Sequence, residues 1–350
     1  MTFDQMRGPS ATKVAVLGAG SWGTTFAKIL ADAAAASGVE RDIRLWGRRP
    51  EVVDAINARH RNEQYLKDIA LPPSITASTD VAEVLSGAQL VVLAVPAQTL
   101  RPQLREWKHL LPQGALVVSL MKGLELNSDA RMSEVICEEL GIPASHVAVV
   151  SGPNLAMEIA REEPTASVVA CSDFGAAAWV ARSCTAPYFR PYTTADVVGV
   201  EIGGIVKNII ALAVGICEGK QMGDNTKASV ITRGLAETSR LTLALGGQAQ
   251  TMAGLAGLGD LVATCSSPLS RNHTAGRLLG TGLTLDQVTA QMTQTAEGIK
   301  SAQAVHELAG KLGVEMPITA AVVAVLAGKL SVDELGPLLL SRDLKREGDY

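Results

Sequence analysis

The chain has 350 residues, a length that suits two domains better than one. Hydrophobic residues make up 47% and charged residues 19%, which excludes disorder for most of it. Thirty-one Lys and Arg against 35 Asp and Glu give a net charge of -4, without the basic surplus of a general nucleic-acid binder.

Residues 1–12 are polar, lack an apolar leader and read as a loose tail. An apolar run at 14–17 ends in Gly18, and 24–36 has helical composition. A second run at 43–46 ends in Gly47, and further runs follow at 90–95, 116–120 and 147–150. Turn residues bound each run, and most are separated by helix-like stretches. This alternation predicts right-handed βαβ units on a parallel sheet. The runs are nearly continuous, as in strands covered on both faces.

After about residue 190 the strand-like runs give way to helical patterns at 195–218, 226–246, 296–312 and 317–328. Asp196 after Thr193-Thr194 marks a helix start, and Pro317 suits a first helical turn. The expectation is an α/β domain over 13–192, an all-helical domain over 193–341 and a tail at 342–350, joined near 188–194. The apolar runs at 209–217 and 318–327 are too short to cross a bilayer, so a cytoplasmic protein without a membrane span is expected. The five cysteines, Cys137, Cys171, Cys184, Cys217 and Cys265, are scattered, with no C-x-x-C pair, and H-E-x-x-H is absent. They read as buried small hydrophobes in a reducing compartment, with no metal site.

Gly18-Ala19-Gly20-Ser21-Trp22-Gly23 matches G-x-G-x-x-G between the first strand and first helix. Gly18 permits the tight turn, Gly20 lets a pyrophosphate approach the backbone, and Gly23 lets helix and strand pack closely. The helix N-terminus supplies N–H groups and a positive dipole end. A doubly wound Rossmann-type sheet binding a dinucleotide follows. Gly47-Arg48-Arg49 after the second run has no acid for a ribose hydroxyl. Two guanidiniums suit a 2′-phosphate, favouring NADP with NAD also usable; a solvated basic loop is the alternative.

The loops after the later strands carry Lys122-Gly123-Leu124-Glu125 and Ser151-Gly152-Pro153-Asn154. Ligands bind beyond the carboxyl ends of strands in such sheets. The helix at 195–218 places Gly203-Gly204 on the face of Lys207, followed by Asn208. Glycines inside a helix cost about 1 kcal/mol each against Ala, and here they would leave open space beside the ammonium. A Lys in so apolar a helix is unusual; a snorkelling or paired lysine is the alternative. A third cluster delivers Asp260 after Gly254-Leu255-Ala256-Gly257-Leu258-Gly259, then Ser270-Arg271-Asn272 before a short helix. Ser, Arg and Asn with helix N–H groups make a phosphate cradle; a capped loop with a surface Arg is the alternative.

These motifs resemble the bacterial-type NAD(P)-dependent glycerol-3-phosphate dehydrogenases. The resemblance covers about 13–341 and rests on Gly-Ala-Gly-Ser-Trp-Gly-Thr (18–24), Lys-Gly-Leu-Glu (122–125), Ser-Gly-Pro (151–153), Lys-Asn (207–208), Ile-Thr-Arg-Gly-Leu-Ala-Glu (231–237), Gly-Leu-Gly-Asp-Leu (257–261) and Ser-Arg-Asn (270–272). It implies an N-terminal Rossmann domain, a helical C-terminal domain, a homodimer, and reduction of dihydroxyacetone phosphate to sn-glycerol 3-phosphate for phospholipid synthesis. It implies Lys207 as proton donor and acceptor. Lys122, Gly152, Asn154, Asp260, Ser270, Arg271 and Asn272 correspond to substrate residues. Gly18, Gly20, Ser21, Trp22, Gly23, Arg48, Arg49, Lys122, Ala156, Arg271, Thr295 and Glu297 correspond to cofactor contacts. Two departures stand out: Asn154 and Leu155 where the family often has Ser or Thr and then Phe, and Met121 where Thr often precedes the lysine. The rivals are a two-domain dehydrogenase acting on a hydroxyacid or ketopantoate-like carboxylate, and a non-catalytic dinucleotide sensor.

Overall fold

The structure, a computed structural model, describes residues 10–292 and 296–335. Among these, the chain up to Met121 forms one compact unit with Ala130–Val197, and Lys122–Asp129 joins the chain from Val198 onward in a second.

The first unit comprises β1 (Lys13–Leu17), α1 (Ser21–Ser37), β2 (Asp42–Trp46), α2 (Pro50–Arg59), β3 (Ile75–Ser78), α3 (Val81–Leu85), β4 (Leu90–Leu93), α4 (Leu100–Trp107), β5 (Leu116–Ser119), α5 (Met132–Leu140), β6 (Val147–Ser151), α6 (Ala156–Ala160), β7 (Thr165–Ala170), α7 (Phe174–Ser183) and β8 (Phe189–Thr194). The eight strands lie in the order β3-β2-β1-β4-β5-β6-β7-β8. Neighbours are parallel except β6 and β7. Strand order reverses at β1, which places a crevice beyond the carboxyl ends of β1 and β4.

Alternate residues of each central strand enter different cores. Val14, Val16, Leu90 and Val92 pack with Phe26, Ile29 and Trp179. Ala15, Leu17, Val91 and Leu93 pack with Leu104, Trp107, Val135 and Ile136. Burial on both faces is why these strands read as unbroken apolar runs. The strands β3, β7 and β8 escape a sequence reading because they carry Thr, Ser or Pro and make no such run. β8 occupies most of the expected junction at 188–194. β3 is an edge strand, and the Asn57 amide pairs with both the N–H and the C=O of Ala77, each at 2.8 Å. That removes two open ladder groups from the edge.

The second unit holds α8 (Val197–Gly219), α9 (Asp224–Ala244), α10 (Ala249–Ala253), a π-helical turn (Leu255–Gly259), α11 (Asp260–Ser266), α12 (Arg271–Gly280), α13 (Leu285–Gln291), α14 (Glu297–Lys311) and α15 (Pro317–Leu326). The central helix α8 corrects one expectation. It runs through Gly203-Gly204 and Lys207-Asn208 without a break, so its 23 residues are long and apolar enough to cross a membrane. Yet 89% of its most apolar stretch is buried inside the protein, as in the core helix of a globular unit.

Glycines let α12 press against α8. A Cβ at Gly276 would lie 2.1 Å from the Leu212 carbonyl oxygen, and one at Gly215 would lie 2.2 Å from that of His273. Backbone therefore meets backbone, and the start of α12 is drawn to the Lys207-Asn208 turn. The Asn272 amide nitrogen donates to Asn208 Oδ1 at 2.8 Å.

Glu237 on α9 is 1% exposed and caps α15. Its carboxylate accepts from the N–H of Ile318 at 2.6 Å and from the N–H and hydroxyl of Thr319 at 3.2 Å. Burial pushes its pKa up to about 7, and the three donors only partly oppose this. The folded state thus holds the proton more tightly than the unfolded chain, where a Glu titrates near 4.3. This contribution to stability is complete below the unfolded pKa and is lost as pH rises through about 7. Glu237→Gln removes that dependence. Thermal melts should show the variant gaining on the parent between pH 4.5 and 7.5 by up to about 3 kcal/mol. A constant difference across that range would show that the carboxyl does not titrate there.

Candidate active site

In the first unit the glycine turn is built as its spacing requires. Gly18 has φ +127°, and a Cβ on it would lie 2.4 Å from the Ala94 carbonyl oxygen beyond β4. A Cβ at Gly23 would lie 2.0 Å from the Gly18 carbonyl oxygen, whereas no atom of the described residues stands within 4 Å of one at Gly20. Gly18 and Gly23 thus close the turn, and Gly20 leaves room for an anion. Among the described residues no side chain caps α1, and its first turn carries no acid, which suits a pyrophosphate. The buried Trp22 indole N–H has no hydrogen-bond partner among the described residues.

A segment without a sequence motif holds this turn. Asn62, 1% exposed, donates to the Ala19 carbonyl at 3.0 Å and to the Thr24 hydroxyl at 2.8 Å. The Ser21 hydroxyl donates to the Tyr65 carbonyl at 3.3 Å. The Tyr65 hydroxyl accepts from Arg49, whose guanidinium also sits 5.2 Å from the ring centre. Arg48 is exposed. The same segment thus ties the phosphate turn to one of the two arginines. A lone Asn and Tyr in a loop give no sequence signal for this.

Gly152 follows β6 at φ +142°, where a Cβ would lie 3.1 Å from Ser167 Cα. The amide nitrogen and oxygen of Asn154 are both buried and without a partner among the described residues. Buried polar groups are rarely left unpaired, and Trp22 and Asn154 are both residues expected to meet a ligand. Ala156 opens α6, and its carbonyl accepts from the Thr25 hydroxyl of α1 at 3.2 Å.

The second unit gathers the charged residues around Asp260, which is 1% exposed. Lys207 Nζ donates to Asp260 Oδ1 at 2.5 Å and to the Thr264 hydroxyl at 2.6 Å. Lys122 Nζ donates to Asp260 Oδ2 at 2.6 Å. Of the alternative reading, a snorkelling or paired lysine, the snorkelling half fails and the paired half holds: the ammonium is buried and paired with Asp260. Thr264, one turn after Asp260 on α11, shares its face; only that spacing could have revealed it. Burial lowers the Lys122 pKa to about 8; Asp260 opposes the shift and Lys207 reinforces it.

The open space expected beside Gly203 is absent. A Cβ there would lie 2.4 Å from the Ala256 carbonyl oxygen, because the π-helical turn packs directly on α8. That glycine admits the backbone that delivers Asp260. π-Helical turns often occur at functional sites.

Ser270 caps α12, its hydroxyl accepting from the His273 N–H at 3.2 Å. Asn272 bridges: it donates to Asn208, and its oxygen accepts from the Gly298 N–H at 2.8 Å. Arg271 is exposed at the start of α12. Glu297 opens α14, and burial raises its carboxyl pKa against the pull of Lys300 and Arg271. Thr295 lies outside the described residues.

The chain is similar to known proteins over most of its length. Residues 13–177 match the NAD-dependent glycerol-3-phosphate dehydrogenase N-terminus, and 196–336 match the C-terminus of the same family. The chain belongs to the NAD-dependent glycerol-3-phosphate dehydrogenase family. It is 58% identical over 336 residues to glycerol-3-phosphate dehydrogenase [NAD(P)+] of Thermobifida fusca, covering 96% of this chain and 98% of that protein. The Streptomyces griseus protein of the same name is 55% identical with the same coverage. The crystal structure of glycerol-3-phosphate dehydrogenase from Coxiella burnetii superposes with a TM-score of 0.88 at 36% identity, covering 95% of this chain and all of that one. A ketopantoate reductase from Ralstonia eutropha reaches a TM-score of 0.56 at 19% identity over 93% of this chain and 99% of its own. That likeness shows the fold alone. As a family member the chain is an NAD(P)-dependent dehydrogenase with a Rossmann-type unit and a helical unit.

Asp260→Asn tests the electrostatics of the cluster. Without the carboxylate, two ammonium groups face each other with no counter-charge. The pH at which Lys122 becomes half-reactive towards acetic anhydride should fall below 8. Breaking a buried pair should also cost about 3–5 kcal/mol in a chemical melt. An unmoved Lys122 midpoint in folded protein would remove Asp260 as its controlling charge.

Proposed function

We propose that this enzyme interconverts dihydroxyacetone phosphate and sn-glycerol 3-phosphate with NAD(P)H, and that Lys207 is its general acid and base. The observation that carries the reading is the pair of ammonium groups on one buried carboxylate. With both lysines protonated the cluster holds one surplus positive charge. A carbonyl that accepts a hydride becomes an alkoxide, the charge such a surplus stabilises. Lys207 spends two of its three N–H donors on Asp260 and Thr264. The third is directed to the substrate oxygen and delivers the proton. Lys122 adds charge beside the substrate and cofactor. That charge, and the surplus it makes, is lost as pH rises through about 8.

Gly18, Gly20, Ser21, Trp22 and Gly23 hold the pyrophosphate, with the bare end of α1 supplying N–H groups. Bound NAD(P)H supplies the hydride. Ala156, Thr295 and Glu297 complete the cofactor contacts, and Gly152 and Asn154 those of the substrate. Arg271 and the second amide N–H of Asn272, with the end of α12, take the substrate phosphate; Ser270 serves by capping that helix. In this reading the sheet unit is the dinucleotide domain and the helical unit the substrate and dimerisation domain. A cytoplasmic homodimer feeding glycerophospholipid synthesis belongs to the same reading, supported by the resemblance and by five cysteines that form no disulfide.

Turnover of dihydroxyacetone phosphate with NADPH and with NADH is the direct assay. Lys207→Ala should cut kcat by about a hundredfold or more while the cofactor still binds, the usual scale of acid–base catalysis. Asp260 keeps Lys122 as partner in that variant, so the fold should survive. Near-normal turnover would mean that another group moves the proton.

Cofactor preference rests on Arg48 and Arg49. Replacing both by Ser should weaken NADPH by about tenfold or more, since charge-assisted bonds contribute about 1.5–3 kcal/mol, and NADH far less. Equal losses measured by fluorescence titration would exclude a 2′-phosphate clamp.

A further inference from the structure

Residues Lys122–Asp129 belong to the helical unit although β5 precedes them and α5 follows, both in the sheet unit. The segment is anchored along its length. Lys122 holds Asp260 at one end, and Leu124 is fully buried in the core of the second unit. The Ser128 hydroxyl donates to Glu125 at 2.6 Å, and the Asp129 N–H donates to the Glu125 carbonyl at 3.0 Å. Asn127 and Asp129 adopt φ +74° and +56°, the left-handed turn backbone that Asn and Asp accept more readily than other side chains. At the far end the Asp129 carboxylate pairs with Lys311, the last residue of α14. The Asp129 side chain is 4% exposed, and its Oδ1 has no hydrogen-bond partner among the described residues.

We infer that Asp129 and Lys311 form a strap that positions the Lys122 ammonium against Asp260, making both positioning residues for the reaction. This rests on the reading of Lys122 as a site residue. A buried carboxylate with one oxygen unpaired among the described residues depends on Lys311, its one cation among them. Without Lys311 it is drawn out to water, and the braced loop moves with it. Lys122 then loses its dry setting. Lys311 is 63% exposed, so its removal opens no cavity in the core. Among the groups that act on the Lys122 charge are Asp260 and Lys207, and neither is altered in this change.

The test uses the full chain with Lys311→Met, Lys311→Arg and Asp129→Asn, and Lys122→Ala as reference. The first readout needs neither substrate nor cofactor: the pH dependence of Lys122 acetylation by acetic anhydride, read by mass spectrometry. The parent should show a midpoint near 8. Lys311→Met and Asp129→Asn should move it up towards about 10.4, that of an ordinary lysine. The second readout is kcat/KM for dihydroxyacetone phosphate, which should fall about ten- to a hundredfold in both variants, as expected for a misplaced site group. Lys311→Arg should restore both. An unmoved midpoint in Lys311→Met overturns the inference, even if Tm falls, because the pair would then be merely structural. So does a Lys311→Arg variant as impaired as Lys311→Met. If instead Lys122→Ala turns over normally, the site reading fails, and the acetylation midpoints still decide the strap.

Discussion

Everything in the helical unit turns on one buried carboxylate holding two ammonium groups. Asp260 is 1% exposed, and a lone charge there would be costly. Two cations from distant stretches of the chain, Lys122 and Lys207, compensate it. A single salt bridge in the same place would be neutral and of little use to a reaction. The third charge makes the cluster positive, and that surplus is what a developing oxyanion can use. The cost of the arrangement is that Lys122 stays protonated only up to about pH 8.

Holding three charges in such short contacts demands close backbone packing, and glycine supplies it. Gly203 admits the Ala256 carbonyl, so the turn before Asp260 sits directly on the helix carrying Lys207. Gly215 and Gly276 do the same between α8 and α12. Asn208, Asn272 and Gly298 then link α8, α12 and α14 through two 2.8 Å hydrogen bonds. A methyl group at Gly203 or Gly276 would push neighbouring helices apart before it touched any ligand. The glycines mark where helices must meet rather than where a ligand enters.

This explains what could be read in the sequence and what could not. The central strands were legible because burial on both faces leaves unbroken apolar runs, and the glycine turn because three separate steric demands fall at fixed spacing. The long helices were legible from their period. Edge strands such as β3 and β8 were not, since half-exposed strands carry Thr, Ser and Pro. In the site, Lys207, Lys122 and Asp260 could each be singled out locally. That they share one cluster could not, because the ion pairs span 53 and 138 residues of chain. Asn62 and Tyr65 gave no sign at all: their role is to pin another loop, and pinning has no pattern.

On the proposed reading the two units meet anions by different means. In the sheet unit the phosphate turn uses backbone: Gly20 leaves open space, and α1 begins without a capping side chain or an acid. Such a site suits a pyrophosphate, whose diffuse charge is matched by several N–H dipoles without desolvating a cation. The helical unit offers side-chain cations, with Lys122 half-buried and Lys207 buried against Asp260 and Arg271 exposed at the start of α12. A terminal phosphate carries more charge on fewer atoms, and Arg meets it with a planar fork. The reacting carbonyl is neutral at first and gains charge only as hydride arrives. A fixed surplus charge already in place then stabilises the transition state more than the ground state, the condition for raising kcat rather than merely tightening binding. On the proposed reading the division of labour follows from when each negative charge is present: permanent charges would meet backbone dipoles and Arg271, and the transient one the paired lysines.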